Sequence, residues 1–420
     1  MWGFWFRNQK HNPDFVRELH VRSEATIPED IPPQIQEGLD DGLRELLSQA
    51  ASARQLWTHR LNPKVTPVRD YLKDNNLMVK PTDKNLGLAA FPALLYYTEM
   101  VKHIKEGPYE EVVYTLPLAK DFHSDILKRL PKTGLTKAEV RYIRQHREIS
   151  WPAFHMIPKV HKSPWAWRPI VPAHSSPTAR ISKVADIAIA SLLPRFPHLI
   201  RSTAEWLRHL SDGWNKRNSL RDQYFVTGDV VAFYTNVDTD TIHLSMEALL
   251  RGSRIPDSRA KAIAELVRII THKNFFAIED IVFRQTSSLA MGSPCSGTVA
   301  NLTMARRERR FVNREGVLAY TRYIDDIFCL IEARNEIEVR RILQEISEAV
   351  HPLQIKWNVS RRRAVYLDAE VAFSPFIGLT YKPYRKPGSQ HAYLPWSSAH
   401  PTYVKKGLVI GETTRLSLLC

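Results

Sequence analysis

The stretch VLAYTRYIDDIFCLI, residues 317–331, places two adjacent aspartates, Asp325 and Asp326, between two apolar runs. Each run has the length and the β-branched and aromatic content of a buried strand, so the stretch predicts a hairpin with both carboxylates at its turn. Two negative charges crowded at such a turn are costly unless cations neutralise them. The pattern therefore indicates a metal site, with solvated turn residues as the alternative for these two positions alone.

A third carboxylate, Asp229, lies in the apolar run YFVTGDVVAF, residues 224–233, where a strand is predicted to leave the sheet. Two strands that each end in a carboxylate can bring these groups together around ions. Hard oxygen ligands suit Mg²⁺, with Mn²⁺ as a substitute. Two such ions about 3.5–4 Å apart activate an attacking oxygen and stabilise a leaving pyrophosphate. A strand-end or helix-capping role is the alternative for Asp229 by itself.

Strands and helices alternate along the chain from residue 223 onward, with hairpins among them. This order predicts an α+β fold with a largely antiparallel sheet. Upstream, Thr136 and Glu139 have the spacing of a capping box, and five prolines in residues 151–173 predict extended segments. The remaining predicted elements are helices near 35–56 and at 182–193, 258–273, 296–312 and 334–350, a hairpin at 275–284, and strands at 355–359, 364–373 and 376–382.

The composition limits the class of protein. A chain of 420 residues is long enough for two or three subdomains. Its formal net charge of +15 favours a polyanionic partner such as nucleic acid, although a basic protein without one is the alternative. Three widely spaced cysteines fit neither a zinc site nor a disulfide framework. Neither a signal peptide nor a run of 18 apolar residues occurs, so we expect an intracellular protein without a membrane partner.

Several segments together resemble reverse transcriptases. DVVAFY, MGSP and YIDD occur in the order and rough spacing of the catalytic motifs A, B and C, and IPKVHK and RPIV look like the finger motifs. The further detail is similar to the Penelope-like retroelement branch, which is related to telomerase. The segments that carry the resemblance lie at 80–87, 157–162, 168–171, 229–236, 291–294, 300–302, 323–326, 367–368, 382–383 and 393–401.

The resemblance implies a role for each matching residue near the aspartates. Asp229, Asp325 and Asp326 would be the catalytic residues and would hold two Mg²⁺ ions. The backbone carbonyl of Val230 would be a further metal ligand. Tyr234 would be the steric gate that excludes a 2′-OH and so favours dNTPs over rNTPs, with a core aromatic as the alternative.

Other matching residues would bind the substrates. Lys159 and Arg168 would reach the triphosphate from the fingers, where cations neutralise charge that develops on phosphate oxygens. The residues expected to shape the nucleotide site also include Gly292, Ser293 and Pro294. Those expected to contact template or primer are Lys80, Lys84, Lys162, Arg361, Arg362, Arg363, Leu367 and Asp368. Lys356 would be a general acid for pyrophosphate. For an isolated cation the alternative is a solvated surface charge.

The implied architecture is a right-hand polymerase, with fingers, palm and thumb, and with a ferredoxin-like antiparallel palm sheet. We expect an N-terminal extension of unknown role at 1–60, fingers at 61–222, a palm at 223–375 and a partial thumb at 376–420. Nothing resembles the GIY-YIG endonuclease that members of the family often carry. Cys295-Ser296-Gly297 departs from the usual Leu-Ser-Pro of the family.

The activity that the resemblance implies is that of an RNA-directed DNA polymerase, which extends a primer with dNTPs on an RNA or DNA template. A nuclear location is expected for such an element. Two alternatives stay open. One is a non-catalytic nucleic-acid-binding relic of a truncated retroelement, and the other is an RNA-dependent RNA polymerase or a telomerase catalytic subunit.

Overall fold

The computed structural model describes residues 65–83, 87–112, 118–217, 222–374, 378–384, 394, 396–398 and 400–419. The predicted extension at 1–60, the predicted helix near 35–56 and the predicted contact at Lys84 lie outside these residues. Within the described part of the chain, no helix has both the length and the hydropathy that a membrane span requires.

The part of the chain before residue 222 forms small sheets and helices, and some of these surround a cluster of buried apolar side chains that includes Phe91, Tyr96 and Met156. Its elements are α1 (Val65–Asp74), β1 (Leu77–Pro81), β2 (Leu88–Pro92), α2 (Ala93–Glu106), β3 (Tyr109–Glu111), α3 (Ala119–Lys128), α4 (Lys137–Arg144), β4 (His155–Lys159), β5 (Ala166–Ile170), α5 (Ala179–Ala190) and α6 (Thr203–Asn215). Strand β1 pairs with β2, and β4 pairs with β5, both antiparallel.

The local predictions for this part are confirmed. The Thr136 hydroxyl accepts from the backbone N–H of Glu139 at 3.2 Å, and the Glu139 carboxylate accepts from the N–H of Thr136 at 2.8 Å. This capping box begins α4. Residues 151–173 form β4 and β5, because proline lacks the N–H of a helix interior and clashes with the preceding turn. The helix predicted at 182–193 is α5, which begins earlier, at Ala179.

The later part of the chain contains the central sheet and the elements that cover it. Its elements are β6 (Asp222–Val230), α7 (Thr239–Arg251), α8 (Asp257–His272), β7 (Phe275–Ile278), β8 (Ile281–Gln285), α9 (Ser296–Glu308), β9 (Val317–Tyr323), β10 (Asp326–Ala333), α10 (Glu336–Ala349), β11 (Ile355–Ser360), β12 (Arg363–Tyr366), β13 (Ala369–Ser374), β14 (Gly378–Pro383) and α11 (Thr402–Leu419). The helices predicted at 258–273, 296–312 and 334–350 and the hairpin at 275–284 are confirmed, although α9 ends at Glu308.

The central sheet has the strand order β11-β6-β10-β9, and every neighbouring pair is antiparallel. Numbered along the chain, its strands stand in the order 4-1-3-2, with helices between the first two strands and one helix between the last two. This is the β-α-β-β-α-β arrangement of a ferredoxin-like sheet. The predicted α+β class with a ferredoxin-like antiparallel palm sheet is confirmed.

Strand β10 is buried on both faces of this sheet. Ile327, Cys329 and Ile331 enter the larger core, which helices α5 and α7–α10 share. Phe328 and Leu330 enter a second core, which α6 and strands β12–β13 share. Because successive side chains of a strand point to opposite faces, a strand covered on both sides requires a continuous apolar run. This requirement explains the unbroken apolar character of IFCLI.

The segment AVYLDAEVAF was predicted as one strand at 364–373, and this prediction is wrong. Strands β12 and β13 form an antiparallel hairpin that reverses at Leu367–Asp368, where Leu367 has a φ of 51°. A non-glycine residue in the left-handed region leaves no trace in the hydrophobic pattern, so the turn is not visible there. The hairpin does occur at the position that the family resemblance implies.

The boundary between fingers and palm at residues 222 and 223 stays a prediction. Strand β3, from the range 61–222, pairs with β8 from the range 223–375, and Tyr109 lies opposite Gln285. One small sheet therefore crosses the predicted boundary.

Candidate active site

Four side chains form one row across the central sheet, one from each strand. The strand registers place Asp229 between Lys356 and Asp326. Asp326 in turn lies opposite Tyr323. Directly opposed residues of antiparallel strands have Cβ atoms about 4.5–5.5 Å apart on the same face. All four residues are exposed. The sheet therefore presents a cation, two carboxylates and a phenol side by side.

Asp325 lies in the turn next to this row. Its carbonyl accepts a hydrogen bond from the backbone N–H of Val230 at 2.9 Å, which joins the turn to the strand that carries Asp229. Partial burial and the charge of Asp229 raise the pKa of the Asp325 carboxyl, although Arg168 acts to lower it. A bound cation would favour the charged form of such an acid.

The chemistry of these donors fits Mg²⁺. Carboxylate oxygens are the hard ligands that Mg²⁺ prefers, and a few suffice because water and substrate phosphates complete the shell. Among the described residues, no group of three or more His, Cys, Asp or Glu side chains is arranged to hold one ion. The carboxylates are instead related in pairs. Asp229 lies opposite Asp326 in the strand register, and the charge of Asp229 raises the pKa of Asp325. The metal roles of these three residues and of the Val230 carbonyl stay predictions.

Arg168 and Tyr234 bring strand β5 and the loop after β6 close to the same site. Burial and the Asp325 charge raise the pKa of the Tyr234 hydroxyl, and Arg168 acts to lower it. Arg168 Nη1 also lies 3.3 Å from Asp83 Oδ1. Arg168, predicted to bind the triphosphate, and Tyr234, predicted to be the steric gate, are therefore both within electrostatic reach of Asp325 in the predicted metal site.

The MGSP segment packs directly against Val171, the residue after strand β5, and this contact requires its glycine. Gly292 has a φ of 122°, and a Cβ there would lie 2.1 Å from the carbonyl oxygen of Val171. Close backbone approach of this kind is possible only for glycine. The hydroxyl of Ser293 lies 2.8 Å from that of Ser182, and Pro294 is exposed. Contact of residues 292–294 with a nucleotide stays a prediction.

The predicted lysine contacts lie on the strands of the fingers. Lys159 ends β4 and is partly buried, while Lys162 is exposed in the turn that follows. The Nζ atom of Lys80 lies 5.3 Å from the ring centroid of Tyr96, a cation–π distance. Their contacts with triphosphate, template or primer stay predictions.

A cleft of about 810 Å³ opens on the row of charged residues. Asp229, Asp326 and Lys356 line it from the sheet, and Leu367 and Asp368 line it from the turn between β12 and β13. Further lining residues are Arg201, Thr203, Asn358, Gly411 and Arg415. The predicted primer-grip pair therefore shares one cleft with two of the predicted metal ligands.

The three arginines predicted to follow nucleic acid begin at the other end of the sheet. The Arg361 guanidinium donates to the carboxylate of Asp222 and to the hydroxyl of Tyr224, both at 2.6 Å. Arg361 lies five positions after Lys356, which is about 16 Å at the rise of a strand. The structure therefore separates Arg361 from the row of charged residues and pairs it with Asp222 and Tyr224 of the sheet. Contact of Arg361, Arg362 and Arg363 with nucleic acid stays a prediction.

Two residues that contact the YIDD turn do not belong to the recognised motifs. The Tyr366 hydroxyl donates to the carbonyl of Asp326 at 2.9 Å. The Arg322 guanidinium donates to the carbonyl of Ile324 at 2.8 Å. An arginine inside an apolar strand is itself a signal, because arginine is almost never fully buried unless it is paired. Tyr366 has no such signal, since its partner lies 40 residues away in sequence.

Solved structures support the fold. The chain is similar to telomerase from Candida albicans with a TWJ fragment of telomeric RNA, at 12% identity and a TM-score of 0.51, over 74% of this chain and 53% of that one. It is also similar to apo telomerase from Candida tropicalis, at 10% identity and a TM-score of 0.50, over 81% and 65% of the two chains. The match therefore spans between half and two thirds of each telomerase chain. At these identities the likeness shows the fold alone.

Sequence comparison identifies the family. No curated protein matches the chain. The family described as "Reverse transcriptase (RNA-dependent DNA polymerase)" matches residues 157–380, which include strand β5, all three aspartates and the hairpin at Leu367–Asp368. This match covers more than half of the 420 residues. The chain therefore belongs to the reverse transcriptase (RNA-dependent DNA polymerase) family.

Proposed function

We propose that the protein is an RNA-directed DNA polymerase that adds dNTPs to a primer 3′-OH by two-metal-ion catalysis. The observation that carries the proposal is the meeting of distant carboxylates at one end of the palm sheet. Asp229 lies opposite Asp326, and its charge acts on Asp325. Asp229, Asp325 and Asp326 would hold two divalent ions there, and such ions would supply activation of the primer hydroxyl and stabilisation of the leaving pyrophosphate.

Each neighbouring residue has a part in this reaction. Arg168 approaches from the fingers and neutralises charge on the triphosphate. Tyr234 is within electrostatic reach of Asp325 and excludes the 2′-OH of an rNTP. Lys356 lies next to Asp229 and supplies a proton to pyrophosphate. The cleft between the sheet and the Leu367–Asp368 turn receives the primer–template duplex.

The proposal extends to origin and location. The motif set at residues 80–87, 157–162 and 393–401 favours the Penelope-like branch, and with it a nuclear element that acts on RNA or DNA template with primer and dNTPs. We assign residues 376–420 to a partial thumb, and the supply of Gly411 and Arg415 to the cleft wall by α11 supports this assignment. Imaging of the tagged protein in cells tests the location, which exclusion from the nucleus would contradict.

The decisive test is primer extension with Mg²⁺, a primed RNA template and dNTPs. Asp325→Ala is expected to lower the extension rate by at least about 100-fold, because charge that develops at the reacting phosphate then loses a stabilising group. The matched control is Asp222→Ala. Asp222 is an aspartate at the opposite end of the sheet, where it pairs with Arg361.

The control variant is expected to keep the parent rate. If Asp325→Ala extends the primer as well as the parent does, the metal assignment is wrong. If the parent shifts a primer–template duplex in a gel but never extends it, the non-catalytic relic is favoured. Efficient incorporation of rNTPs in competition with dNTPs would favour an RNA polymerase.

A further inference from the structure

Three consecutive backbone carbonyls in the YIDD turn, those of residues 324–326, are each held by a different part of the molecule. The first accepts from Arg322 Nη1 at 2.8 Å. The second accepts from the N–H of Val230 at 2.9 Å, and the third from the Tyr366 hydroxyl at 2.9 Å. The donors are a buried side chain of β9, the backbone of β6 and a side chain of β12.

The turn requires such support because its own conformation is unfavourable. Ile324 has a φ of 58°, which a β-branched residue rarely adopts. The next residue, Asp325, carries a partly buried carboxylate that repels Asp229. A free turn would relax both the backbone strain and the charge repulsion by moving the carboxylates apart.

Arg322 is fully buried, and it uses every hydrogen-bond donor that an arginine has. Nε and Nη2 donate to the two carboxylate oxygens of Glu308, at 2.7 and 3.0 Å. The other N–H groups donate to the side-chain and backbone oxygens of Asn301, at 2.6 and 3.0 Å, and to Ile324. All five N–H donors therefore have an acceptor, which fixes the plane of the guanidinium.

Glu308 is equally well satisfied. Besides Arg322 it accepts from the Tyr320 hydroxyl at 2.7 Å and lies 2.9 Å from His198 Nε2. A buried ion pair whose remaining donors and acceptors are all bonded is rigid, because any movement leaves a charged group unpaired. The Arg322 guanidinium is therefore held rigidly in the core while it donates its hydrogen bond to the turn.

We propose that Arg322 and Tyr366 are positioning residues that hold the YIDD turn, so that Asp325 and Asp326 are arranged for a divalent ion before the ion arrives. This inference rests on the proposed function, since it assumes that these carboxylates bind metal. Its physical basis is that groups which orient metal ligands contribute to metal affinity without touching the metal. The alternative is that both residues only stabilise the core.

Direct metal binding separates these possibilities. Mn²⁺ binding is measured by electron paramagnetic resonance without nucleotide or nucleic acid, on the full chain. Tyr366→Phe keeps the ring and removes only the hydroxyl, and it is expected to weaken Mn²⁺ binding about 10-fold. Arg322→Lys is expected to weaken it at least as much, because lysine lacks the planar fork that reaches Glu308, Asn301 and Ile324 together.

The matched control is Tyr224→Phe. Tyr224 is a buried tyrosine whose hydroxyl bonds Arg361 at the other end of the sheet. Urea unfolding of all variants shows the loss of stability, which is expected to be similar for the two Tyr→Phe changes. Of these two Tyr→Phe changes, only Tyr366→Phe is expected to weaken Mn²⁺ binding. It is also expected to raise the Mg²⁺ concentration for half-maximal extension without changing the affinity for primer–template.

The outcomes distinguish this inference from the proposed function. If Asp325→Asn weakens Mn²⁺ binding while Tyr366→Phe binds as the parent does, the positioning role is wrong and the metal site stands. If Asp325→Asn leaves Mn²⁺ binding unchanged, the proposed metal site itself is wrong. If Arg322→Lys does not fold, Tyr366→Phe alone decides.

Discussion

Two carboxylates near the palm sheet differ in how their charge is compensated. Glu308 is fully buried, and Arg322 and His198 lie against it. Burial by itself raises the pKa of Glu308, but the charge of Arg322 and the hydrogen bond from His198 outweigh burial and lower the pKa to about 2. The fold itself neutralises this acid, so its role is to hold neighbouring residues in place.

Asp325 has the opposite environment. Burial and the nearby charge of Asp229 raise its pKa, although the charges of Arg168 and Arg322 act to lower it. Among the described residues no arginine forms an ion pair with it as Arg322 does with Glu308. A partly buried carboxylate whose charge the fold compensates only in part is typical of functional sites. Glu308 and Asp325 therefore differ mainly in whether positive side chains compensate their charge, and less in how deeply they are buried. A compensated carboxylate stabilises the fold, whereas one compensated only in part is suited to bind a cation.

The largest change in stability is expected from Glu308→Gln. The substitution leaves the Arg322 guanidinium buried without a counter-charge, so the free energy of unfolding is expected to fall by about 3–5 kcal/mol. Urea denaturation measures it. The control is Glu345→Gln, which removes the surface partner of Arg314 and is expected to cost about 1 kcal/mol or less. Equal losses in the two variants would contradict the contrast between the acids.

A smaller loss is expected from Tyr320→Phe. The hydroxyl of Tyr320 donates to Glu308 at 2.7 Å, and both residues are buried. A hydrogen bond to a charged group contributes about 1.5–3 kcal/mol, so the free energy of unfolding is expected to fall by that amount. Tyr381→Phe is the control, because Tyr381 is exposed. A Tyr320→Phe protein as stable as the parent would show that Glu308 does not depend on this donor.

The smallest change, and one of opposite sign, is expected from Asp325→Asn without metal. The folded-state pKa of Asp325 lies above its ordinary value of 3.8, so the folded state holds this proton more tightly than the unfolded state. Its contribution to stability is therefore lost as pH rises from the unfolded pKa through the folded pKa. At neutral pH the asparagine variant is expected to be the more stable protein.

Thermal unfolding across this pH range, with and without Mg²⁺, checks that prediction. The stability of the parent relative to the variant is expected to fall as pH rises, and Mg²⁺ is expected to stabilise only the parent at neutral pH. Glu308 provides an internal contrast, because its stabilisation appears as pH rises from about 2 through its unfolded pKa. If Mg²⁺ stabilises the Asp325→Asn variant as much as the parent, the prediction that Asp325 binds the cation is wrong.

The sequence predicts the strands, turns and helix ends of this molecule that depend on residues close together along the chain. The apolar runs on both sides of Asp325 and Asp326 predict a hairpin, because a strand buried on both faces has that pattern wherever it occurs. Thr136 and Glu139 predict the start of α4, because the capping box involves four consecutive residues. The order of the sequence motifs predicts the reverse transcriptase family, and this family resemblance predicts the palm sheet.

The sequence does not predict the contacts that join distant segments. No helix or strand periodicity in the sequence predicts the ion pair of Arg322 with Glu308, because it depends on how α9 packs. The same holds for the close approach of Gly292 to Val171, which depends on how the MGSP loop packs. The continuous strand that the sequence predicts through Leu367 is wrong for a related reason, because the positive φ of Leu367 and the reversal between β12 and β13 leave no mark in the hydrophobic pattern.

Strand periodicity and turn position are local properties of the chain, so the amino-acid order is enough to predict that three aspartates lie at the ends of apolar strands in an α+β fold. The folded molecule alone shows that Asp229 lies between Lys356 and Asp326, and that Arg322 and Tyr366 donate hydrogen bonds to the turn. The alternating pattern of a strand decides which of its residues face each core, but which residues of two distant strands lie opposite each other depends on how the two cores pack on the faces of one sheet.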